Sequence, residues 1–364
     1  MKDVNALMML KHLPKEEKST LAIHLEVLNH FLDDSSITEI VINKPGVVMT
    51  EGRARRWMTH HVPAVTFDWC MDAANLLQNR SSQNITEGSP LLGAQLPDGQ
   101  RVQIVIPPAV PAGTISITIR RPGTEVLSLD GIIAGGAFAS TRCEQSSLLT
   151  GEERARLEAD LPESDKALLE LFRAKNWRAF WHGSVSGKKN IVSSGATGAG
   201  KTTLGIALAA LIPPGERIIT VEDVPEMRLP HENLVSLYYS KGGKGVSKLT
   251  PRDLLEAALR MRPDRVLLAE LRGDETFFFI QNVLNSGHPG TITTLHSTRA
   301  KLAFRRLALM IKGSPEGSGI NLADIMETLY ALIDVVAQME RPPSGQRVVS
   351  EVYFDPAFAA KQLG

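Results

Sequence analysis

The sequence predicts a two-domain protein of the α/β class, with a parallel-sheet C-terminal domain and a smaller α+β domain before it. Three observations predict this. The chain has 364 residues, too many for one ordinary core and enough for two. Alternating β-branched stretches fill the first third. From Lys189 onward, short apolar strands alternate with helical stretches, the mark of a parallel sheet with crossover helices.

The elements follow in order. Thr20 to Leu32 puts Leu21, Leu25, Leu28 and Leu32 on one helical face. Thr38 to Asn43 alternates like a strand and runs into the turn signal Lys44-Pro-Gly46. Phe67 to Asn79 reads as a helix. Arg101 to Pro107 and Thr114 to Arg120 read as two strands joined by a Pro/Gly-rich loop. These make up a first domain over residues 1–122. Residues 123–161 read as a linker or insertion, with a charged helical stretch from Gly151 to Asp160. A third region, 162–364, opens on a helix from Ser164 to Asn176. It continues with a strand at Asn190 to Ser194, a helix at Lys201 to Leu211 and a strand at Arg217 to Val221. A helix capped by Thr250 with Pro251 at its first position follows. Strands at Arg265 to Ala269 and Gly290 to Leu295 complete the set.

Bulk composition narrows the function. Lys+Arg and Asp+Glu balance at 40 each, so no whole-molecule field draws nucleic acid or anionic lipid. Aromatic residues are 5% of the chain, too few for the base-stacking platforms of a helicase channel. Cys70 and Cys143 lie far apart with no metal-ligand spacing, which argues against a disulfide framework or a zinc module. Met1 to Ser19 lacks the apolar core and cleavage site of a signal peptide, and no apolar run reaches the ~20 residues a spanning helix needs. The expectation is a cytoplasmic protein whose membrane contact is peripheral.

One motif carries chemistry. Gly195-Ala-Thr-Gly-Ala-Gly-Lys-Thr202 fits the phosphate-binding pattern GxxxxGK[ST] at every position, with a strand before it and a helix after. Glycines let backbone N–H groups turn inward around phosphate oxygens. The helix adds its free amides and the positive end of its dipole. Gly195, Thr197, Gly198, Ala199, Gly200, Lys201, Thr202 and Thr203 form this candidate set for the ATP phosphates. Lys201 supplies a point charge to the β- and γ-phosphates, and Thr202 a hydroxyl to Mg²⁺. Such a loop needs acidic partners. Glu222 or Asp223, just past one strand, is placed to orient water or hold a water of Mg²⁺. Glu270 ends the apolar strand Val266 to Ala269, where a carboxylate would sit beside Mg²⁺ at the carboxyl edge of the sheet. His288 and His296 flank a further strand, as sensors of the γ-phosphate or as structural polar residues.

Together these segments resemble the secretion ATPase superfamily, and within it the VirB-type ATPases of type IV secretion and conjugation. There a P-loop, an Asp box, a Walker B and a His box follow in this order. Here they match Gly195–Thr203, Ile219–Glu226, Arg262–Glu275 and Ser286–Ser297. The resemblance implies a RecA-like C-terminal motor domain, nucleotide lying between the two domains, and a homohexameric ring. It implies Glu222 as the Asp-box glutamate that positions water, Glu270 as the Walker B acid and His296 as the His-box sensor. Arg101 and Arg120, with Arg121 in its place if the register shifts by one, match arginines of the first domain that contact phosphate. ATP and Mg²⁺ are then the cofactors. The partners are further copies of the chain and the inner-membrane secretion or conjugation machinery, a coupling protein among them, with no strong sign of direct nucleic-acid binding. The missing four-cysteine zinc module and retraction-motor signature separate the chain from type II secretion and pilus motors, which remain the related alternative. A nucleotide-gated scaffold without turnover is the alternative of another class, and no segment of the chain stands out as the acceptor pocket and lid that a P-loop kinase would need.

Overall fold

The structure, a computed structural model, describes residues 19–52, 56–81, 83–121, 127–239 and 249–363. It divides into two compact units, Met1–Thr124 and Glu125–Gly364. The stretch before Ser19, read above for a targeting signal, lies outside the described residues.

The first unit opens with helix α1 (Thr20–His24), a 3₁₀ turn (Leu25–Leu28) and helix α2 (Asn29–Leu32). The sequence predicts one helix here. The tighter winding advances the buried face by three residues instead of four, so Phe31 is buried where Leu32 was expected. Strands β1 (Ile37–Lys44), β2 (Val47–Gly52) and β3 (Trp57–His61) follow, then helix α3 (Phe67–Ser81). Strands β4 (Leu91–Gln95), β5 (Arg101–Val105) and β6 (Ser116–Arg120) complete one antiparallel sheet of order β3-β2-β1-β6-β5-β4. Its period-2 pattern buries Ile40, Ile42, Val102, Ile104, Ile117 and Ile119 in one core with Leu77 of α3.

The second unit starts with helix α4 (Leu129–Ala134), strand β7 (Arg142–Glu144), helix α5 (Gly151–Ala159), helix α6 (Glu163–Arg173) and helix α7 (Trp177–Ser186). This corrects the expected linker over 123–161, because its described part is built into the core. Phe138 is buried and stacks on Trp177 at 5.7 Å between ring centroids. The Thr141 hydroxyl donates to the Val349 carbonyl at 2.7 Å. The sheet strand β7 has three residues, too short to show a period in sequence.

Next come β8 (Ile191–Gly195), α8 (Lys201–Ala209), β9 (Ile218–Glu222), β10 (Leu234–Tyr238), α9 (Pro251–Arg260), β11 (Arg265–Leu268) and α10 (Glu275–Asn282). The chain ends with β12 (Ile292–Leu295), α11 (Ala300–Gly313), α12 (Leu322–Leu332), β13 (Val335–Glu340), β14 (Val348–Phe354) and α13 (Pro356–Gln362). Thr250 caps α9 with a full capping box and Pro251 at its start, as the sequence predicts.

A parallel sheet of order β10-β9-β11 lies edge to edge with a sheet of order β12-β8-β13-β14-β7. The Thr291 and Thr294 hydroxyls of the one edge donate to the Val266 and Ala269 carbonyls of the other, each at 2.8 Å. In β8, β9, β11 and β12 every residue is buried, as for strands covered by helices on both faces. The expected parallel α/β core is thus present. Its strands direct the carboxyl ends of β8, β9, β11 and β12 toward one edge, where ligands of such sheets bind.

Candidate active site

The loop after β8 is shaped by close backbone approach. Gly195 has φ +153°, and a Cβ there would stand 2.4 Å from the Met339 carbonyl oxygen of β13. Gly200, the N-cap of α8, has φ +102°, and a Cβ there would meet the Arg347 side chain at 2.9 Å. Gly198 is also left-handed, at φ +75°. L side chains adopt these conformations at a cost, so glycine fits all three. Helix α8 begins at Lys201, and Thr202 and Thr203 stand half-buried in its first turn. Its leading N–H groups have no intrahelical acceptor, and the dipole adds positive potential. The result is a cradle for a polyphosphate.

Lys201 is only 8% exposed. Its Nζ donates to the Ala196 carbonyl at 3.1 Å and lies 3.3 Å from His296 Nδ1. A lysine ammonium only donates, so Nδ1 accepts and the ring proton sits on Nε2. That nitrogen lies 2.9 Å from Glu270 Oε1. Burial and the Lys201 charge hold the His296 ring below its usual titration range, against the pull of Glu270. His296 thus stands between the P-loop lysine and Glu270, within reach of both.

The acids are divided between two tasks. Glu270 and Asp223 share the guanidinium of Arg272, at 2.5 Å and 2.6 Å. Glu222 is 1% exposed, and both its oxygens are engaged inside the protein. One accepts from the Thr220 hydroxyl at 2.9 Å, the other from the Glu226 and Met227 amides at 2.8 and 2.9 Å. The sequence reading gave Glu222 to the attacking water. The structure shows its carboxylate turned onto its own loop. The amide of Glu222→Gln can still accept from both N–H groups and donate to Thr220, so that variant should lose less than about 1 kcal/mol. Glu222→Ala orphans the amides and should lose about 1.5–3 kcal/mol in denaturant titrations. Equal losses in the two variants would contradict this assignment.

One other expectation is displaced. His288 precedes β12, at the end of that strand opposite His296, and its ring faces the Ser286 hydroxyl at 3.4 Å. It is not brought to the P-loop edge. Arg121, the alternative to Arg120, donates to the Leu32 carbonyl. Arg101 and Arg120 are direct cross-strand neighbours on β5 and β6, and Arg120 pairs with Glu39 at 2.5 Å. Sequence reasoning missed Arg272. The signal was present, since Glu270 and Arg272 stand two apart on extended chain and so share a face. It also missed Glu275, which accepts from the Arg272 and Gly273 amides at 2.6 and 2.9 Å.

A type IV secretion system protein VirB11 from Bartonella quintana is 43% identical over 351 residues, spanning 96% of this chain and 97% of its own length. The chain belongs to the VirB11 family. The family model for type II/IV secretion system proteins matches residues 172–340, from α6 to β13. The crystal structure of the VirB11 ATPase of Brucella suis, in complex with sulphate, superposes with a TM-score of 0.52 at 36% identity over 95% of this chain and 97% of that one. The pilus retraction motor PilT shares the fold, with a TM-score of 0.57 at 16% identity over 93% of this chain and 86% of that one. This VirB11-family chain is an ATPase of a type IV secretion system with a RecA-like motor unit, and its P-loop, Glu270 and His296 lie at one edge of that unit's sheets. No helix among its described residues is long and apolar enough to cross a membrane.

Proposed function

We propose that the chain hydrolyses Mg-ATP at the edge formed by Lys201, His296, Glu270 and Asp223, and that an assembled ring of copies converts turnover into work for secretion. The carrying observation is the continuous polar run Lys201–His296–Glu270–Arg272–Asp223, which joins the phosphate cradle to both strand-end acids. Lys201, Thr202 and the loop amides grip the triphosphate. His296 reports the charge at Lys201 to Glu270, because the ammonium cannot serve the imidazole and a γ-phosphate equally well. The sulphate named with the Brucella suis relative is an anion of the kind this cradle suits.

The residues fit Mg²⁺. The Thr202 hydroxyl and the carboxylates of Glu270 and Asp223 are hard oxygen donors. Glu270 Oε1 is buried and takes no well-directed hydrogen bond, although His296 lies within reach. Among the described residues no group of three or more acidic, histidine or cysteine side chains converges. When bound, Mg²⁺ would neutralise phosphate charge. Arg101 and Arg120 belong to the phosphate-contacting set in this reading, supported by their side-by-side placement on β5 and β6.

The partners in this reading are copies of the chain in a hexamer, and inner-membrane components of the secretion apparatus at the cytoplasmic face. Glu270→Gln should retain nucleotide affinity within about threefold and lose on the order of 10² in turnover, as for removal of one electrostatic group of a preorganised site. Steady-state phosphate release and native mass spectrometry with and without Mg-ATP check both halves. A variant with parent turnover, or a parent that stays monomeric throughout, contradicts the proposal.

A further inference from the structure

We infer that Arg272 is a positioning residue that holds the two strand-end acids in the orientation the ATP site uses. The inference rests on the reading of that site given above and adds a residue to it.

Arg272 joins adjacent strands. Asp223 follows the last residue of β9 and Glu270 lies two beyond the last residue of β11, and these strands are paired in parallel. One guanidinium nitrogen donates to Asp223 Oδ2 at 2.6 Å and another to Glu270 Oε2 at 2.5 Å. A planar guanidinium spans two acceptors at a fixed separation, which a lysine point charge does not. All three side chains are mostly shielded, with Asp223 12%, Glu270 14% and Arg272 32% exposed. Two carboxylates that close repel strongly in such surroundings. The cation between them removes that repulsion and fixes their spacing.

The arginine itself is anchored on both sides. The Leu271 amide donates to the Thr294 carbonyl at 2.9 Å, tying the chain to β12. The Glu275 carboxylate receives the amides of Arg272 and Gly273. The backbone therefore cannot drift, and the guanidinium arrives from a set direction. It occupies Oε2 of Glu270 and leaves Oε1 toward His296 and the P-loop lysine. Arg272 thus decides which oxygen of the acid faces the phosphate cradle.

The test uses the full chain in three forms: Arg272→Ala, Arg272→Lys and, as control, Lys201→Ala. Outer partners of this kind are worth about 10–100-fold in activity. Arg272→Ala should lose kcat by that factor. Its KM for ATP and its affinity for a fluorescent ATP analogue should stay within about threefold of the parent, because the grip on the triphosphate is the P-loop's. Arg272→Lys should fall between, and should carry the test if the alanine variant does not fold. Added methylguanidinium should restore part of the turnover of Arg272→Ala and none of that of Lys201→Ala.

Parent kcat in Arg272→Ala would overturn the inference, as would equal loss of kcat and analogue affinity. A kcat loss explained wholly by a lowered melting temperature, without methylguanidinium rescue, would also overturn it. Failure of the underlying site reading is distinct, since Lys201→Ala would then hydrolyse ATP as the parent does.

Discussion

Lys201→Ala is expected to reduce ATP turnover by on the order of 10³, with loss of measurable affinity for a fluorescent ATP analogue and no loss of melting temperature. The Lys201 ammonium is nearly buried, beside the Ala196 carbonyl and His296. In that shielded position its charge acts on phosphate far more strongly than in water. The loop amides and the helix dipole remain in the variant, but together they supply only partial charges. Stability should not suffer. Lys201 opens α8, where alanine is a good helix former. Steady-state phosphate release, an analogue titration and a thermal melt on the same preparation separate these effects. Turnover within tenfold of the parent would contradict the placement of the site.

Arg265→Ala should destabilise the second unit by about 3–5 kcal/mol, the range for breaking a buried ion pair from one side. The Arg265 side chain has no solvent exposure. Its Nε donates to Glu216 at 2.7 Å, and its terminal nitrogens reach the Val185 carbonyl at 2.8 Å and the Gly290 carbonyl at 3.2 Å. One side chain thus fastens the end of α7 and the starts of β9, β11 and β12. Gly290 is part of the fit, since a Cβ there would stand 2.6 Å from the guanidinium.

The alanine variant leaves two carbonyls without this donor and Glu216 with Lys188, at 3.7 Å, as its cationic partner among the described residues. Burial raises the Glu216 carboxyl, but its pair with Arg265 outweighs this and holds it below its usual range. That contribution is complete above the ordinary glutamate range and is lost as pH falls through the lowered folded value. The gap between parent and variant should therefore narrow in acid. Denaturant midpoints at neutral and acid pH measure it. A gap below about 1 kcal/mol at neutral pH would contradict the clasp.

The sequence by itself determined the phosphate-binding loop with the strand before it and the helix after it, and the apolar strands β9, β11 and β12. These are local. Three left-handed glycines, a lysine and three threonines within nine consecutive residues dictate their own backbone, and a buried parallel strand announces itself as a continuous apolar run. Only the tertiary structure decided the connections between segments. It turned Glu222 inward onto its own loop, sent His288 to the far end of β12 and drew residues 127–161 into the core through Phe138 and β7. It also set Arg272 between Asp223 and Glu270. The physical reason is that a side chain's partners across a sheet depend on which strands lie side by side and in what register. Spacing along the chain carries that information only for neighbours one or two residues away.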